Sequence, residues 1–268
     1  MFRRVPGPLP VALVALATLL TWPVRATTLT VPVSGTSAAG NPVSFTATFT
    51  TAGDTLSLTL ANTSTTPTSA PADVLSSFYF DLLQNGVRPK LAYAAASGLV
   101  YEVLRDEADR FVPGRLPGGA TDLRALTKDA GTWQFRAMNP GFPPGLGFGI
   151  GTVGNSKLSP NNFNPKIVNQ ADYTLYSTGT RGDIQPVGNL PGRLLVRGTA
   201  TFQFTGLAPQ CPVEFTDRFV FGLGTSPDSM IVALPEPRAA ALVASGLLAL
   251  LVARLVRRRA GGPRAADG

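Results

Sequence analysis

Between Val43 and Leu60 apolar and hydroxyl side chains trade places residue by residue. Val43, Phe45, Ala47 and Phe49 alternate with Ser44, Thr46, Thr48 and Thr50, and Leu56, Leu58 and Leu60 resume the pattern after Thr51-Ala-Gly53-Asp54. A period of two puts successive side chains on opposite faces of an extended strand, so each run has one dry face and one wet one. Thr51-Ala-Gly53-Asp54 supplies turn residues between them, which predicts a β-hairpin. The same design recurs at Phe78, Phe80 and Leu82, at Ala200, Phe202 and Phe204, and at Phe219, Phe221 and Leu223. A helical period is visible only weakly, over Leu99 to Arg110, where Val103 and Leu104 sit among charges and predict one short helix.

Many short alternating strands separated by Gly and Pro pack most readily as two antiparallel sheets. The expected fold is therefore all-β, an antiparallel β-sandwich of jelly-roll type. Pro113 to Pro191 is dense in Gly, Pro and Asn and is expected to form long loops, clearest at Gly141-Phe-Pro-Pro-Gly145 and Ser159-Pro-Asn-Asn-Phe-Asn-Pro165. Loops on a rigid β scaffold are where binding would be sought.

The chemistry open to this chain is narrow. It contains no histidine and one cysteine. Ser-His-Asp and Cys-His catalysis, imidazole bases and His-liganded zinc are thereby excluded, as are an intramolecular disulfide and any Cys-based metal cage. Gly149-Ile-Gly151-Thr-Val-Gly154 has the letters of a dinucleotide fingerprint, with Asp172 beyond it. Pro143-Pro144 precedes it and Asn155-Ser-Lys-Leu-Ser-Pro160 follows, so no helix opens there and a glycine-rich strand is the better reading. Glu102, Asp106, Glu107 and Asp109 lie among Arg105 and Arg110 and read as a solvated charged segment. Asp54, Asp73 and Asp81 fit turn and strand-end positions as well as ligand positions, and no calcium-loop motif accompanies them. Arg181-Gly-Asp183 spells an adhesion tripeptide that a Gly-centred turn explains equally. Trp133 is expected in the core rather than stacked on a sugar, Cys211 is expected to be buried rather than to cross-link two chains, and Asn62 to Pro71 is a polar loop whose composition also suits O-glycans. Neither a cofactor nor a catalytic residue is implied.

The two ends of the chain differ from its middle. Arg3 and Arg4, an apolar run from Val11 to Trp22, and Val24-Arg25-Ala26 have the order of a secretory signal peptide, with cleavage expected between Ala26 and Thr27. Near the other end, Pro235-Glu236-Pro237 precedes the uncharged stretch Ala239 to Ala253, then Arg254 and the cluster Arg257-Arg258-Arg259. The two prolines enforce an extended, accessible segment. Residues 239 to 256 would span about 27 Å as a helix, enough for a slightly short transmembrane segment whose arginines hold the tail on the cytoplasmic side.

That combination resembles the PEP-CTERM sorting signal of Gram-negative exosortase substrates. The resemblance implies a signal peptide over 1–26, an extracytoplasmic domain over 27–234 and a sorting signal over 235–268. It implies as partners the secretion machinery and an exosortase, a membrane cysteine transpeptidase that cuts near Pro235-Glu236-Pro237 and delivers the body to the cell surface or extracellular matrix. The body also resembles a group of exosortase-dependent surface proteins of unassigned activity, through Asp54-Thr-Leu-Ser-Leu-Thr-Leu-Ala-Asn-Thr-Ser64, Pro71-Ala-Asp73-Val-Leu75 leading to Phe80-Asp81, Gly147-Phe-Gly-Ile-Gly151 and Phe219-Val-Phe-Gly-Leu-Gly224-Thr-Ser226. This implies a shared surface β domain without catalytic residues. The expected role is a non-catalytic surface or matrix component. The alternative is a carbohydrate-binding module whose loops hold exopolysaccharide, with a secreted hydrolase behind it.

The formal charge of +7 looks at first like a nucleic-acid signal, and its distribution removes that reading. Residues 1–26 hold three arginines, and residues 235–268 hold six against Glu236 and Asp267. The body keeps 14 basic and 14 acidic residues. No nucleic-acid partner is expected of a neutral body.

Overall fold

The predicted hairpin forms. In a computed structural model of the chain, Pro42–Ala52 and Thr55–Asn62 run antiparallel, Phe49 faces Leu58 and Ala52 faces Thr55. That register leaves Gly53 and Asp54 as a two-residue turn. Gly53 takes φ +61°, a conformation that costs glycine nothing and favours a hairpin turn matched to strand twist. The structure describes residues 26–105, 111–124, 133–138, 142–152, 163, 173–177, 194–224 and 229–233.

The strands among these residues are β1 Thr27–Thr36, β2 Pro42–Ala52, β3 Thr55–Asn62, β4 Leu75–Phe80, β5 Leu82–Leu83, β6 Ala92–Arg105 and β7 Phe111–Asp122. They continue with β8 Gln134–Ala137, β9 Phe148–Gly151, β10 Leu175–Tyr176, β11 Leu194–Thr205, β12 Glu214–Phe215, β13 Phe219–Leu223 and β14 Ser229–Ala233. The protein is all-β over this range. One 3-10 turn, Pro71–Asp73, is the sole helical element among the described residues. None of them forms a helix long and apolar enough to cross a membrane.

Most strands join one continuous sheet with the path β1-β2-β3-β11-β10-β4-β13-β14. Strand β6 lies on the other side of β11 and carries β7, while β9 lies beside β4 and carries β8. Two-residue β10 is the corner, parallel to β11 and antiparallel to β4. Around it the sheet turns back so that β2 faces β4 and β13. Phe49 lies 5.2 Å from Phe80, 5.7 Å from Phe219 and 6.0 Å from Phe78, and Phe45 stacks on Phe221 at 6.1 Å. Phe204 of β11 meets Phe135 of β8 at 4.8 Å. The ends of the path also meet, since a Cβ on Gly35 of β1 would fall 2.7 Å from the Ile231 side chain of β14. Ring pairs at these separations add to area burial, so the phenylalanines both fill the core and lock the two halves in position.

Strand β4 is buried on both faces. Its outer side is covered by a second cluster, in which Tyr79 packs against Phe142 and Phe163, with Leu146 and Val220 beside them. The rings lie directly on the backbone of β9, where a Cβ on Gly149 or Gly151 would approach Phe142 or Phe163 within 3 Å. Gly149 and Gly151 of the false dinucleotide fingerprint thus belong to a strand flattened to admit aromatic rings, as the sequence reading favoured.

Two expectations are corrected. Leu99 to Arg105 is the second half of β6 and not the start of a helix, because both edges of this strand are taken, by β11 and by β7. Nor is Pro113 to Pro191 loop throughout: Pro113 to Asp122 belongs to β7, and β8, β9 and β10 follow within the same span. The turn at Pro143 to Gly145 stands. Of Ser159 to Pro165 only Phe163 is described.

Candidate functional site

Asp73 closes the 3-10 turn and is 3% exposed. Its Oδ2 accepts from the backbone N–H of Ser69 at 2.9 Å and of Ala70 at 2.7 Å, and its Oδ1 from Ser37 Oγ at 2.6 Å. Asn41 Nδ2 donates to both oxygens and Ser69 Oγ to Oδ2. The carboxylate therefore ties the β1–β2 loop to the β3–β4 connection, and every lone-pair direction has a donor. The adjoining depression, lined by Pro42, Val43, Ser64, Thr66, Pro67, Thr68 and Asp73, has no room for a water-sized molecule. This is a staple and not a ligand site.

Asp81, just beyond β4, is equally buried and pairs with Arg88 in a two-pronged ion pair, Nε to Oδ1 at 2.8 Å and Nη2 to Oδ2 at 2.7 Å. The hydrogen bonds that Arg88 donates to Asp81 push the Arg88 pKa up. Gly147 forms the wall against this pair, since a Cβ there would lie 2.5 Å from Arg88 Nε and 2.6 Å from Asp81 Oδ1. Asp54 sits exposed in the hairpin turn, accepting from Thr55 Oγ1 at 3.2 Å while its carbonyl takes the N–H groups of Gly206 and Leu207. All three aspartates serve turns and strand ends.

The remaining candidates are structural as well. Trp133 is 1% exposed, donates Nε1–H to the Tyr173 carbonyl at 2.8 Å and lies 5.0 Å from the Phe202 ring, which places it in the core as expected. Cys211 is only half-buried, against the expectation of burial, because it lies in the turn after Leu207 where its Sγ accepts from Asn85 Nδ2 at 3.2 Å. In the tract Asn62 to Pro71, Ser64 and Thr68 are buried and hold the loop through Ser44 and Ser177, while Thr63, Thr65 and Thr66 are exposed. Among the described residues no group of three potential metal ligands comes together. Glu102 lies on β6, while Asp106, Glu107, Asp109, Arg110, Gly154, Asp172 and Arg181-Gly-Asp183 are outside the described residues. So are Pro235, Glu236, Pro237, Arg257, Arg258 and Arg259. Ala26 is exposed, and Thr27 opens β1 opposite Thr51.

What the sequence did not reveal is how the wet faces of its strands align. Thr30 of β1 pairs with Thr48 of β2, Thr48 with Thr59 of β3, Thr59 with Thr201 of β11, and Thr201 with Ser97 of β6. This is one hydroxyl row across five strands, roughly 19 Å long at ordinary strand spacing. A second row reads Thr28, Thr50, Ser57, Gln203, and a third Pro32, Thr46, Ala61, Thr199. All are exposed or half-buried, and they alternate with buried Val31, Phe45, Ala47, Phe49, Leu56, Leu58, Leu60, Ala200, Phe202 and Phe204. Neighbouring hydroxyls are within reach of each other, Thr59 Oγ1 and Thr201 Oγ1 at 3.2 Å and Ser34 Oγ and Ser44 Oγ at 2.9 Å. Strands β1, β2 and β3 hold no charged residue, and β11 holds only Arg197, whose guanidinium lies 5.6 Å from the centre of the Tyr101 ring. The Thr-x-Thr spellings signalled each strand; the register that makes rows of them is a long-range property.

No protein-family model matches the chain, and no curated protein is similar to it in sequence. Among solved structures, the KRT10-binding region domain of the pneumococcal serine-rich repeat protein PsrP aligns over 78% of this chain and 98% of its own, at 12% identity and a TM-score of 0.29. At that score the likeness carries no argument about fold or function.

Proposed function

We propose that the protein is an exported cell-surface or extracellular-matrix component, whose body is a non-catalytic β-sandwich of jelly-roll type held between a signal peptide and a PEP-CTERM-like sorting signal. The observation that carries this reading is the placement of the folded body. The first described strand opens at Thr27, next to the expected cleavage site, and the last described strand closes at Ala233, two residues before Pro235. Cutting at either place would leave every described strand intact, as a processed domain requires. The aromatic layer between the two halves of the sheet supports the sandwich description. Buried carboxylates consumed by structural hydrogen bonds support a non-catalytic body.

In this reading the secretion machinery carries the chain across the inner membrane and residues 239–256 hold it there transiently. An exosortase then acts at Pro235-Glu236-Pro237, with Arg257, Arg258 and Arg259 as the cytoplasmic stop. Replacing Pro235, Glu236 and Pro237 together by alanine tests the sorting step through cell fractionation. The body is expected to accumulate in the inner membrane; a variant that reaches the surface as the wild type does would overturn the reading.

A further inference from the structure

We propose that the uncharged hydroxyl face of β1, β2, β3 and β11 is a binding surface for an uncharged polysaccharide lying across the strands, along the row Thr30, Thr48, Thr59, Thr201. Solvent-facing sheets ordinarily keep soluble and unpaired through charge, lysine above all. Here three adjacent strands have none, although 15% of the chain is charged. Pro32 removes one N–H from edge strand β1. The face is left neutral across its width.

The chemistry of the face selects the partner. An anionic polymer needs a cluster of cations, and the single cation here, Arg197, lies at the margin over Tyr101. A protein partner needs apolar or aromatic anchors at the centre of the patch. Among the described residues the large exposed apolar ones are Val87, Leu99, Met138 and Val232, none of them on β1, β2, β3 or β11. What the rows present is a flat field of hydroxyls, each both donor and acceptor, with threonine methyls between them. Rows lie about 6.7 Å apart and their members about 4.8 Å apart. A polymer that is itself an extended series of uncharged hydroxyls and C–H faces matches this field, and many weak contacts along one chain add where a single sugar would not be held. The inference places binding on the sheet face and not in the loops between Pro113 and Pro191. It adds a ligand class to the surface role, but it can fail while export and sorting stand, because those are read from location and mass.

The test uses the full-length protein in detergent with four probes: insoluble cellulose by depletion, and soluble dextran, galactomannan and anionic alginate by affinity electrophoresis. At least one of the three neutral polymers is expected to retain the protein, and alginate is not. Thr48→Lys with Thr201→Lys, both at half-exposed positions, is expected to weaken retention about tenfold or more, while Thr48→Ser with Thr201→Ser stays within about threefold of wild type. Equal melting temperatures confirm that both variants are folded. The proposal is overturned if no neutral polymer is bound, if alginate is bound as well as they are, or if the lysine variant binds like the wild type. It is also overturned if sedimentation shows that the lysines abolish a dimer and nothing else, since the face would then hold a second copy of the chain.

Discussion

Replacing Asp73 by alanine removes the acceptor for five donors at once, and the structure lets the cost be apportioned. Asn41 Nδ2 and Ser69 Oγ belong to half-buried side chains that can turn toward water, whereas Ser37 is buried and its hydroxyl would lose a buried partner. The backbone N–H groups of Ser69 and Ala70, at 2.9 and 2.7 Å, cannot turn without undoing the 3-10 turn. Each donor left without a partner costs about 1–3 kcal/mol, the buried Ser37 hydroxyl near the middle of that range and the two part-buried amides near its lower end, so the three together predict roughly 4 kcal/mol. For a folded body of roughly 200 residues this corresponds to a fall of about 8–16 °C in Tm. Asp73→Asn keeps one acceptor oxygen and is expected to lose about half as much. Urea unfolding of wild type and both variants, with the slope held constant, measures these values. An alanine variant within about 1 kcal/mol of wild type would refute the idea that this carboxylate ties the two connections together.

Phe49→Ala should cost about 3–5 kcal/mol in the same assay, since Phe49 touches Phe78, Phe80, Phe215 and Phe219 from the opposite half of the fold; a loss below about 1 kcal/mol would mean that these halves do not pack as described. Burial raises the Tyr93 pKa, with Arg124 opposing and Asp122 adding, and burial likewise raises that of Tyr176. A phenol whose folded pKa is raised contributes stability that is complete below its unfolded pKa near 10 and is lost as pH climbs above it. Stability should therefore decline between about pH 10 and 11, by up to about 1.4 kcal/mol per tyrosine, and Tyr93→Phe should lessen that decline. An unchanged alkaline limb in the Phe variant would contradict the assignment.

The sequence was legible where a residue's environment depends on its near neighbours. The alternation from Val43 to Leu60 needs only the two strands of a hairpin, and it appears in the structure residue for residue. It misled where a strand meets unusual neighbours. Glu102 and Arg105 read as the wet side of a helix because charges are rare in strands with two partners, yet β6 has β11 on one edge and β7 on the other. Proline and glycine between Pro113 and Ala120 concealed β7 in the same way. Asp73 and Asp81 were recognisable as turn and strand-end residues, but their partners at Ser37, Asn41 and Arg88 come from other connections. The hydroxyl rows depend on β11 pairing with β3 across more than a hundred residues of chain, which no local pattern encodes.

The account stands or falls on processing at the two edges of the β body, and intact mass of the protein recovered from its own cells measures this directly. With the sorting transpeptidase present, the account predicts a species that begins at Thr27 and ends near Pro235-Glu236-Pro237, without residues 239–268. Without the transpeptidase it predicts a species that begins at Thr27 and retains that segment. A chain that starts at Met1, or one that keeps residues 239–268 as the only form in both strains, would contradict it.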